Sequence, residues 1–243
     1  VGAASLAITV SASPSAQTIT SGTGKLFANY QFDASQSGED VRFSSIPLRF
    51  TFAGSAAVTS ATACQLYDGA TPLNTGSNVV NAAGATDANN TFTLDQPLTV
   101  TKGTVKTIAL KCNLANTATG NTFSWGIATA PSITVTGVTS GNDVTETITA
   151  SVGPTQTIGA GALTVTKDAS SPSYAVVAGG TSGVTMGSLR FHATYEAINL
   201  TKVALQLTNG ASSSPASLVQ VSLWDGATPV GTATFTGNNI NAT

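Results

Sequence analysis

The segment LYDGATPL, residues 66–73, returns as LWDGATPV, residues 223–230, with six of the eight positions identical. The aspartates of the two segments, Asp68 and Asp225, lie 157 positions apart. Similar segments follow in the same order at offsets of 157 to 159: VGAASLAITV (1–10) with IGAGALTVTK (158–167), FDA (32–34) with FHA (191–193), and GEDVRFSSIPLRF (38–50) with YEAINLTKVALQL (195–207). This period is much longer than that of a solenoid repeat and predicts that whole domains are repeated.

We expect one repeat unit over residues 1–157 and a second over residues 158–243. The second unit is incomplete as given, because its counterpart in the first unit continues for about seventy more residues. We therefore expect the natural chain to be longer, with neighbouring units or subunits completing the second domain.

Apolar residues alternate with polar or small residues in many short runs, such as 6–10, 26–32 and 46–52. Alternation with a period of two predicts strands that bury one face. Turn-forming clusters such as SGTG and TSGND separate the runs, and no long stretch has a helical period. These patterns predict an all-β chain of tandem immunoglobulin-like β-sandwich repeats.

Charged residues make up only 8% of the chain, against roughly 25% in a typical soluble domain, and the formal net charge is −2. The nine Lys and Arg residues are scattered, whereas nucleic-acid binding needs clustered cations, so we expect no nucleic-acid partner. A hydrophobic content of 41% favours a folded chain over a disordered one. No apolar run approaches the roughly 18 residues of a membrane helix, so we expect no transmembrane segment.

Cys64 and Cys112 are the only cysteines, and each shares a predicted strand face with apolar neighbours. Both should therefore point into the core of the first unit, where we predict that they form a disulfide, which could bridge two sheets. Two unpaired buried thiols are the alternative, since free cysteine is often buried. The repeat aligns Cys64 with Val221, so this is a core position with or without sulfur. A disulfide implies an oxidising, extracellular location.

His192 is the only histidine, and alternation places it on the polar face of its strand. Nucleophilic catalysis of the Ser-His-Asp or Cys-His type needs a base that titrates near neutral pH. The residue aligned with His192 is Asp33, so the repeated fold does not require an imidazole there. We expect no enzyme activity, no catalytic residue and no cofactor. One His and two Cys are also too few for a zinc site.

Glu39 and Asp40 are adjacent and should face opposite ways on a strand, and Glu39 aligns with Glu196. This recurrence favours a structural role over glycoside hydrolysis by paired carboxylates. Asp68 and Asp225 occupy Asp-Gly turns, where aspartate suits the backbone. Calcium binding is the alternative there, but no dense run of aspartates surrounds either turn, so we predict no metal site.

Tyr67 and Trp224 precede the repeated Asp-Gly pair and alternate away from the predicted core. They are possible contact aromatics, and covering the edge of the sandwich is the alternative role. Three Asn-x-Ser/Thr triplets mark possible N-glycosylation sites at Asn89, Asn199 and Asn241.

Two longer stretches carry a resemblance: SPS (171–173) with VVAGGTSGVTMGSLRFHATYEAINLTKVALQL (176–207), and TVTKGTVKTIALKCNLANTATGNTFSWGI (99–127). They resemble bacterial cell-surface proteins built from tandem immunoglobulin-like repeats, including those of candidate-phylum bacteria. The resemblance covers most of both units and implies a secreted protein of the surface-layer, filament or adhesin type. Its motifs are structural, so it assigns no functional residue.

We therefore expect a structural extracellular repeat protein that forms part of a surface layer or filament, with neighbouring repeats or subunits as partners. The alternative is an adhesin or carbohydrate-binding β-sandwich of a larger secreted protein. In that case a cell-surface glycan would be the partner, and Tyr67 or Trp224 would be the stacking platform. A third hypothesis is an accessory region of an enzyme whose catalytic domain lies elsewhere.

Overall fold

The computed structural model describes residues 3–54, 58–208, 217–235 and the backbone of residues 241–242. The described chain is all-β and divides into two compact units, Val1–Ala197 and Ile198–Thr243. From here on, the first unit and the second unit are these two compact units. The repeat boundary expected between residues 157 and 158 is a boundary in the sequence alignment, and it stays a prediction.

Eighteen strands form in the described residues. In chain order they are β1 (Leu6–Val10), β2 (Gln17–Thr20), β3 (Gly22–Asp33), β4 (Val41–Ala53), β5 (Ala61–Asp68), β6 (Thr71–Pro72), β7 (Ala88–Val100), β8 (Val105–Leu114), β9 (Thr122–Gly126), β10 (Val135–Gly137), β11 (Glu146–Ile148), β12 (Gln156–Gly159), β13 (Ala162–Lys167), β14 (Leu189–Thr194), β15 (Leu205–Gln206), β16 (Val221–Asp225), β17 (Thr228–Ala233) and β18 (Asn241–Ala242). Single turns of 3₁₀ helix occur at Val58–Ser60, Gly76–Asn78 and Asn116–Ala118.

Two six-stranded sheets make up most of the first unit. Sheet 1 has the order β11-β1-β3-β8-β5-β6, and sheet 2 has the order β10-β4-β9-β12-β2 with β7 paired to β4. Within these sheets the pairs β1–β11 and β2–β12 are parallel. The hairpin β13–β14 is a separate two-stranded sheet of the same unit. The second unit contains two further two-stranded sheets, β15–β18 and β16–β17.

Sheets 1 and 2 share one hydrophobic core, which is the arrangement of a β-sandwich. Phe32 of sheet 1 stacks on Phe43 of sheet 2 with ring centroids 4.8 Å apart. Within sheet 2, Trp125 lies 4.6 Å from Phe50 and 5.5 Å from Phe92, the latter edge-on. Centroid distances of this size are typical of favourable aromatic pairs. The apolar residues of the alternating runs therefore meet in one aromatic core.

A β-bulge in β3 changes which residues face the core. Simple alternation places Leu26, Ala28 and Tyr30 on one face, but the pairing of β3 with β8 shifts between Leu26 and Ala28. Phe27 and Ala28 are both fully buried, and Leu26 is only half-buried. A bulge inserts an extra residue into one strand, so alternation is interrupted at that point.

Cys64 of β5 and Cys112 of β8 are fully buried and form a disulfide. Because β5 and β8 are neighbours in sheet 1, the bond joins two strands of one sheet. The predicted pairing is therefore present, but the expectation that it bridges two sheets is wrong. The two strands lie side by side because of the strand order of sheet 1, which alternation along the chain does not reveal.

The junction between β12 and β13 is short and tightly packed. Ile158 of β12 is buried in the core, and only Ala160 and Gly161 separate β12 from β13. Gly161 lies so close to the Glu196 side chain that a Cβ atom at residue 161 would overlap it. The sandwich thus continues into the hairpin β13–β14 with little intervening chain.

Replacing Cys64 and Cys112 together by valine should lower the free energy of unfolding of the first unit by about 2–4 kcal/mol. The disulfide closes a loop with a sequence separation of 48, which restricts the unfolded chain, whereas valine keeps both positions apolar. Denaturant unfolding followed by tryptophan fluorescence measures the change. An unfolding midpoint equal to that of the wild type would contradict it.

Replacing Tyr30 by phenylalanine should preserve or raise the free energy of unfolding. Among the described residues, the buried Tyr30 hydroxyl has no hydrogen-bond partner, and burial raises the pKa of this phenol above its usual range. An unpaired buried hydroxyl costs about 1–3 kcal/mol, and the substitution removes that cost. The residue that the sequence alignment places opposite Tyr30 is Leu189, which has no hydroxyl.

The pH dependence of Tyr30→Phe gives an independent measurement. Because burial raises the pKa of Tyr30 in the folded state, ionisation does not affect the free energy of unfolding below about pH 10. Above about pH 10 the unfolded tyrosine ionises while the folded one stays neutral, so the free energy of unfolding falls. The wild type should therefore lose stability more steeply above about pH 10 than the variant does. Tyr67→Phe is the control, because the Tyr67 hydroxyl donates a hydrogen bond to Gln65 over 3.1 Å. Identical pH profiles for the wild type and Tyr30→Phe would count against this assignment.

Candidate functional site

The residues considered for catalysis do not come together in the structure. His192 lies on β14 opposite Thr164, and its side chain is exposed. Within the described ranges, no three His, Cys, Asp or Glu side chains lie close enough to hold a metal ion. Apart from the buried Tyr30, the described side chains with a shifted pKa are carboxylates that accept hydrogen bonds from their own chain.

Glu39 anchors the loop between β10 and β11. Its carboxylate accepts hydrogen bonds from the backbone N–H groups of Thr139, at 2.7 Å, and Ser140, at 2.9 Å. Hydrogen bonding, with the Ser140 side chain contributing most, holds the pKa of Glu39 below its ordinary value. Gly137 lies against the same carboxylate, where a Cβ atom would come within 2.5 Å of an Oε atom. Glu39 therefore acts as a structural clamp on this loop.

Asp40 and Asp68 also bind groups of their own chain. The Asp40 carboxylate accepts a hydrogen bond from the backbone N–H of Lys102 over 2.9 Å. Asp68, the last residue of β5, forms an ion pair with Lys106 at 2.7 Å. Adjacent Glu39 and Asp40 thus hold two different loops, but both precede β4, which begins at Val41, so the expectation that they lie on a strand is wrong.

Tyr67 and Trp224 occupy equivalent turns but have different surroundings. Tyr67 is half-buried, and the ammonium group of Lys111 lies 4.7 Å from its ring centroid, within the range of a cation–π contact. Trp224 is 57% exposed. Trp224 therefore offers more ring surface to a ligand than Tyr67 does.

Two of the three predicted glycosylation positions are accessible. Asn89 lies on β7 and Asn199 lies just after the start of the second unit, and both are exposed. The side chain of Asn241 lies outside the described residues. Glycosylation at all three positions stays a prediction.

Two hairpins pair aligned residues in the same register. In β1–β3, Ile8 lies opposite Phe32, and in β13–β14, Val165 lies opposite Phe191. The sequence alignment relates Ile8 to Val165 and Phe32 to Phe191. The agreement extends past the strand end, because the backbone hydrogen bond from residue 11 to residue 29 has its counterpart from residue 168 to residue 188.

The similar segments 66–73 and 223–230 also pair their aligned residues in the same register. Tyr67 pairs with Pro72 in β5–β6, and Trp224 pairs with Pro229 in β16–β17. Each pair flanks an Asp-Gly turn in which the glycine, Gly69 or Gly226, has a positive φ near 60°. Glycine adopts this left-handed conformation without steric cost. Aligned segments thus build the same tight turn in both places.

The apolar faces of the two equivalent hairpins differ in what covers them. In β1–β3 the face is covered by sheet 2, and four of its large side chains are at most 1% exposed: Leu6, Ile8, Tyr30 and Phe32. In β13–β14 the aligned side chains are 36–49% exposed: Leu163, Val165, Leu189 and Phe191. We call these last four residues the open hairpin face.

Alternation correctly predicts that the residues of the open hairpin face share one side of the hairpin. It also predicts their burial, because in most strands the apolar side faces a core. The structure leaves Phe191 36% exposed instead. The covering layer is made by other strands, so no local signal in residues 162–194 could have shown whether it is present.

No protein family, curated protein or solved structure matches this chain. Among the described residues, no helix has the length and apolar character needed to cross a membrane.

Replacing Glu39 by glutamine should loosen the loop between β10 and β11 at neutral pH, because a carboxylate accepts stronger hydrogen bonds than a neutral amide. Since the folded-state pKa of Glu39 is lowered, its contribution to stability is complete above the ordinary glutamate pKa of 4.5 and is lost as the pH falls through the lower folded pKa. The difference between wild type and variant should therefore vanish in acid. Hydrogen exchange at the Thr139 and Ser140 amides, compared between the wild type and Glu39→Gln at neutral and at acid pH, measures this loosening.

Asp143→Asn is the matched control for Glu39→Gln. Asp143 is an exposed residue of the same loop, so its substitution removes one negative charge while the Thr139 and Ser140 N–H groups still donate hydrogen bonds to Glu39. We expect both amides to stay protected in this variant. Equal loss of protection in the two variants would show that loop charge, and not the clamp, is responsible.

Proposed function

We propose that this protein is a non-catalytic, extracellular structural protein in which immunoglobulin-like sandwiches repeat along the chain and form part of a surface layer or filament. The observation that supports this function most is the reuse of one hairpin. Aligned residues pair in the same register in β1–β3 and in β13–β14. A repeated fold suits a protein that works by extension and by many equivalent contacts.

The perturbed carboxylates support the same proposal. Strongly shifted pKa values often mark functional sites, but structural bonds cause them as well. Here the pKa of Asp87 is lowered by hydrogen bonds from Thr51 and Arg49, and that of Asp95 chiefly by hydrogen bonds from Thr75. Each shift has a structural cause within the scaffold.

The disulfide supports an extracellular location. Disulfides persist in oxidising environments and are rare in the cytosol. A chain with 8% charged residues also depends little on salt bridges, and the disulfide adds a covalent link within sheet 1.

Immunogold labelling of source cells with antibodies against the first unit tests the proposed function. We expect label on intact cells, arranged along filaments or across a regular layer. Label that appears only after permeabilisation would overturn the extracellular location. Label on intact cells without any regular arrangement would overturn the assembly.

An adhesin or carbohydrate-binding module is the second candidate, and the exposed ring of Trp224 favours it. Aromatic side chains of this kind are common at binding surfaces because they offer a large apolar area with few rotatable bonds. A glycan array separates the candidates. A structural protein should show no saturable glycan binding, whereas an adhesin should bind and should lose binding in Trp224→Ala but not in Tyr67→Ala.

A further inference from the structure

The chain enters the sandwich of sheets 1 and 2 at one end of its strands. Ala7, near the start of β1, pairs with Asp33, the last residue of β3. Asp33 also pairs with Val105, the first residue of β8. A short turn joins Val105 to Val100 at the end of β7, and Val100 pairs with Val41, the first residue of β4. The starts of β1 and β4 therefore lie at the same end, which we call the entry end.

The chain leaves the sandwich at the opposite end. β4 runs from Val41 to Ala53, where it pairs with Thr122, the first residue of β9. Thr122 also pairs with Thr157 of β12, so β12 ends at Gly159 near the end of β4, which we call the exit end. The 13 residues of β4 span about 40 Å along the sheet. A pull between the entry end and the exit end therefore acts along the strands.

β1 and β12, the first and last strands of the sandwich, receive such a pull before the other strands do. Each of them lies between two neighbours, β1 between β11 and β3, and β12 between β9 and β2. Hydrogen bonds between strands lie across the strand axis, or slanted to it in parallel pairs. Sliding β1 or β12 along its axis therefore loads the bonds on both of its sides together. A domain whose chain entered and left at the same end would instead be peeled open one bond at a time.

Hydrogen bonds and buried side chains hold both strands in place. Ile8 of β1 accepts a hydrogen bond from the backbone N–H of Thr149 over 3.1 Å. Ile158 of β12 donates one to the backbone oxygen of Asn121 over 2.9 Å and accepts one from the N–H of Gly120 over 2.7 Å. The side chains of Ile8 and Ile158 are both buried in the core. Sliding either strand thus breaks backbone bonds and displaces a core residue.

A buried amide side chain also joins β12 to the other sheet. Gln156 is fully buried, and its Nε2 donates hydrogen bonds to the backbone oxygens of Ser15, at 3.3 Å, and Phe27, at 3.5 Å. Phe27 belongs to β3 of sheet 1, whereas β12 belongs to sheet 2. Movement of β12 would leave these buried polar groups unpaired, which is costly.

We propose that the sandwich of the first unit is a load-bearing element that carries tension along the chain through β1 and β12. This inference rests on the function proposed above, because the assembled array is the source of the tension. Resistance to a pull depends on the rate of unfolding and not on the equilibrium free energy. The arrangement of the first and last strands therefore matters more for this role than the size of the core does.

Force spectroscopy of the full chain, held at its amino terminus and at one introduced thiol, tests the proposal. Ala160→Cys places the thiol directly after β12 at the exit end, and Lys102→Cys places it in the turn before β8 at the entry end. Both residues are exposed, whereas Cys64 and Cys112 are paired and buried, so the new thiol is the reactive one. We call the pull to residue 160 axial and the pull to residue 102 lateral.

The axial pull should need at least about twice the force of the lateral pull, because the loaded bonds share the axial force. The two variants have the same fold and the same amino-terminal attachment, so they differ in the direction of the pull. Equal forces in the two directions, or a lower axial force, would overturn the proposal.

The disulfide identifies the unfolding event of the sandwich. The chain between Cys64 and Cys112, a sequence separation of 48, cannot extend while the bond is intact. Replacing both cysteines by valine should therefore lengthen the axial event by about 170 Å, at roughly 3.5 Å per residue. β5 and β8 are not the strands pulled first, so the axial force should change by less than about a tenth although the equilibrium stability falls. A fall in axial force by half or more would show that overall stability sets the force, and it would overturn the proposal.

Thr149→Pro weakens the hold on β1 directly. Proline lacks the N–H that donates to Ile8, and Thr149 is exposed, so the core side chains are unchanged. In the chain that carries Ala160→Cys, the axial force should fall by at least about a tenth, because one of the bonds that share the load is lost. Thr149→Ala is the matched control, since it keeps the N–H and should keep the wild-type force. Equal axial forces in these two variants would count against the proposal.

The outcomes for load bearing and for the proposed function can be told apart. A regular cell-surface array of chains whose axial and lateral forces are equal would overturn the load-bearing role alone. A higher axial force in a protein located inside the cell would support the load-bearing role and overturn the proposed function.

Discussion

A β-sheet with one apolar side is stable in water only when a second layer covers that side. In this protein the constraint is met where Phe32 of sheet 1 stacks on Phe43 of sheet 2, 4.8 Å apart. The core that surrounds this contact collects the apolar residues of both sheets. Each buried CH₂ group contributes about 0.8 kcal/mol, so this large shared core stabilises the first unit more than any single bond does.

The remaining features of the first unit support that packing. The bulge in β3 directs both Phe27 and Ala28 inwards, and the bond between Cys64 and Cys112 holds two strands of sheet 1 together. Glu39 fixes the loop after β10, which pairs with β4 at the end of sheet 2. Carboxylates, bulge and disulfide thus serve the layered core.

The need for a covering layer also distinguishes the hairpin β13–β14 from β1–β3. Val165 and Phe191 pair as Ile8 and Phe32 do, yet the first pair is exposed and the second is buried. Local pairing is therefore separable from coverage by a second layer.

Much of this could be predicted from local patterns in the sequence. The period-two runs placed β1, β4 and β14, the core positions of Cys64 and Cys112 predicted a disulfide, and the recurrence of Glu39 predicted a structural role. These succeed because alternation and turn chemistry depend on residues a few positions apart. The sequence by itself therefore determined the all-β class, the positions of several strands and which side of each strand is apolar. Only the tertiary structure decided that the disulfide lies within one sheet, that Leu26 yields its core position to Phe27, and that Phe32 is covered while Phe191 is not. Those outcomes depend on which distant strands lie side by side or face to face, and no local pattern carries that information.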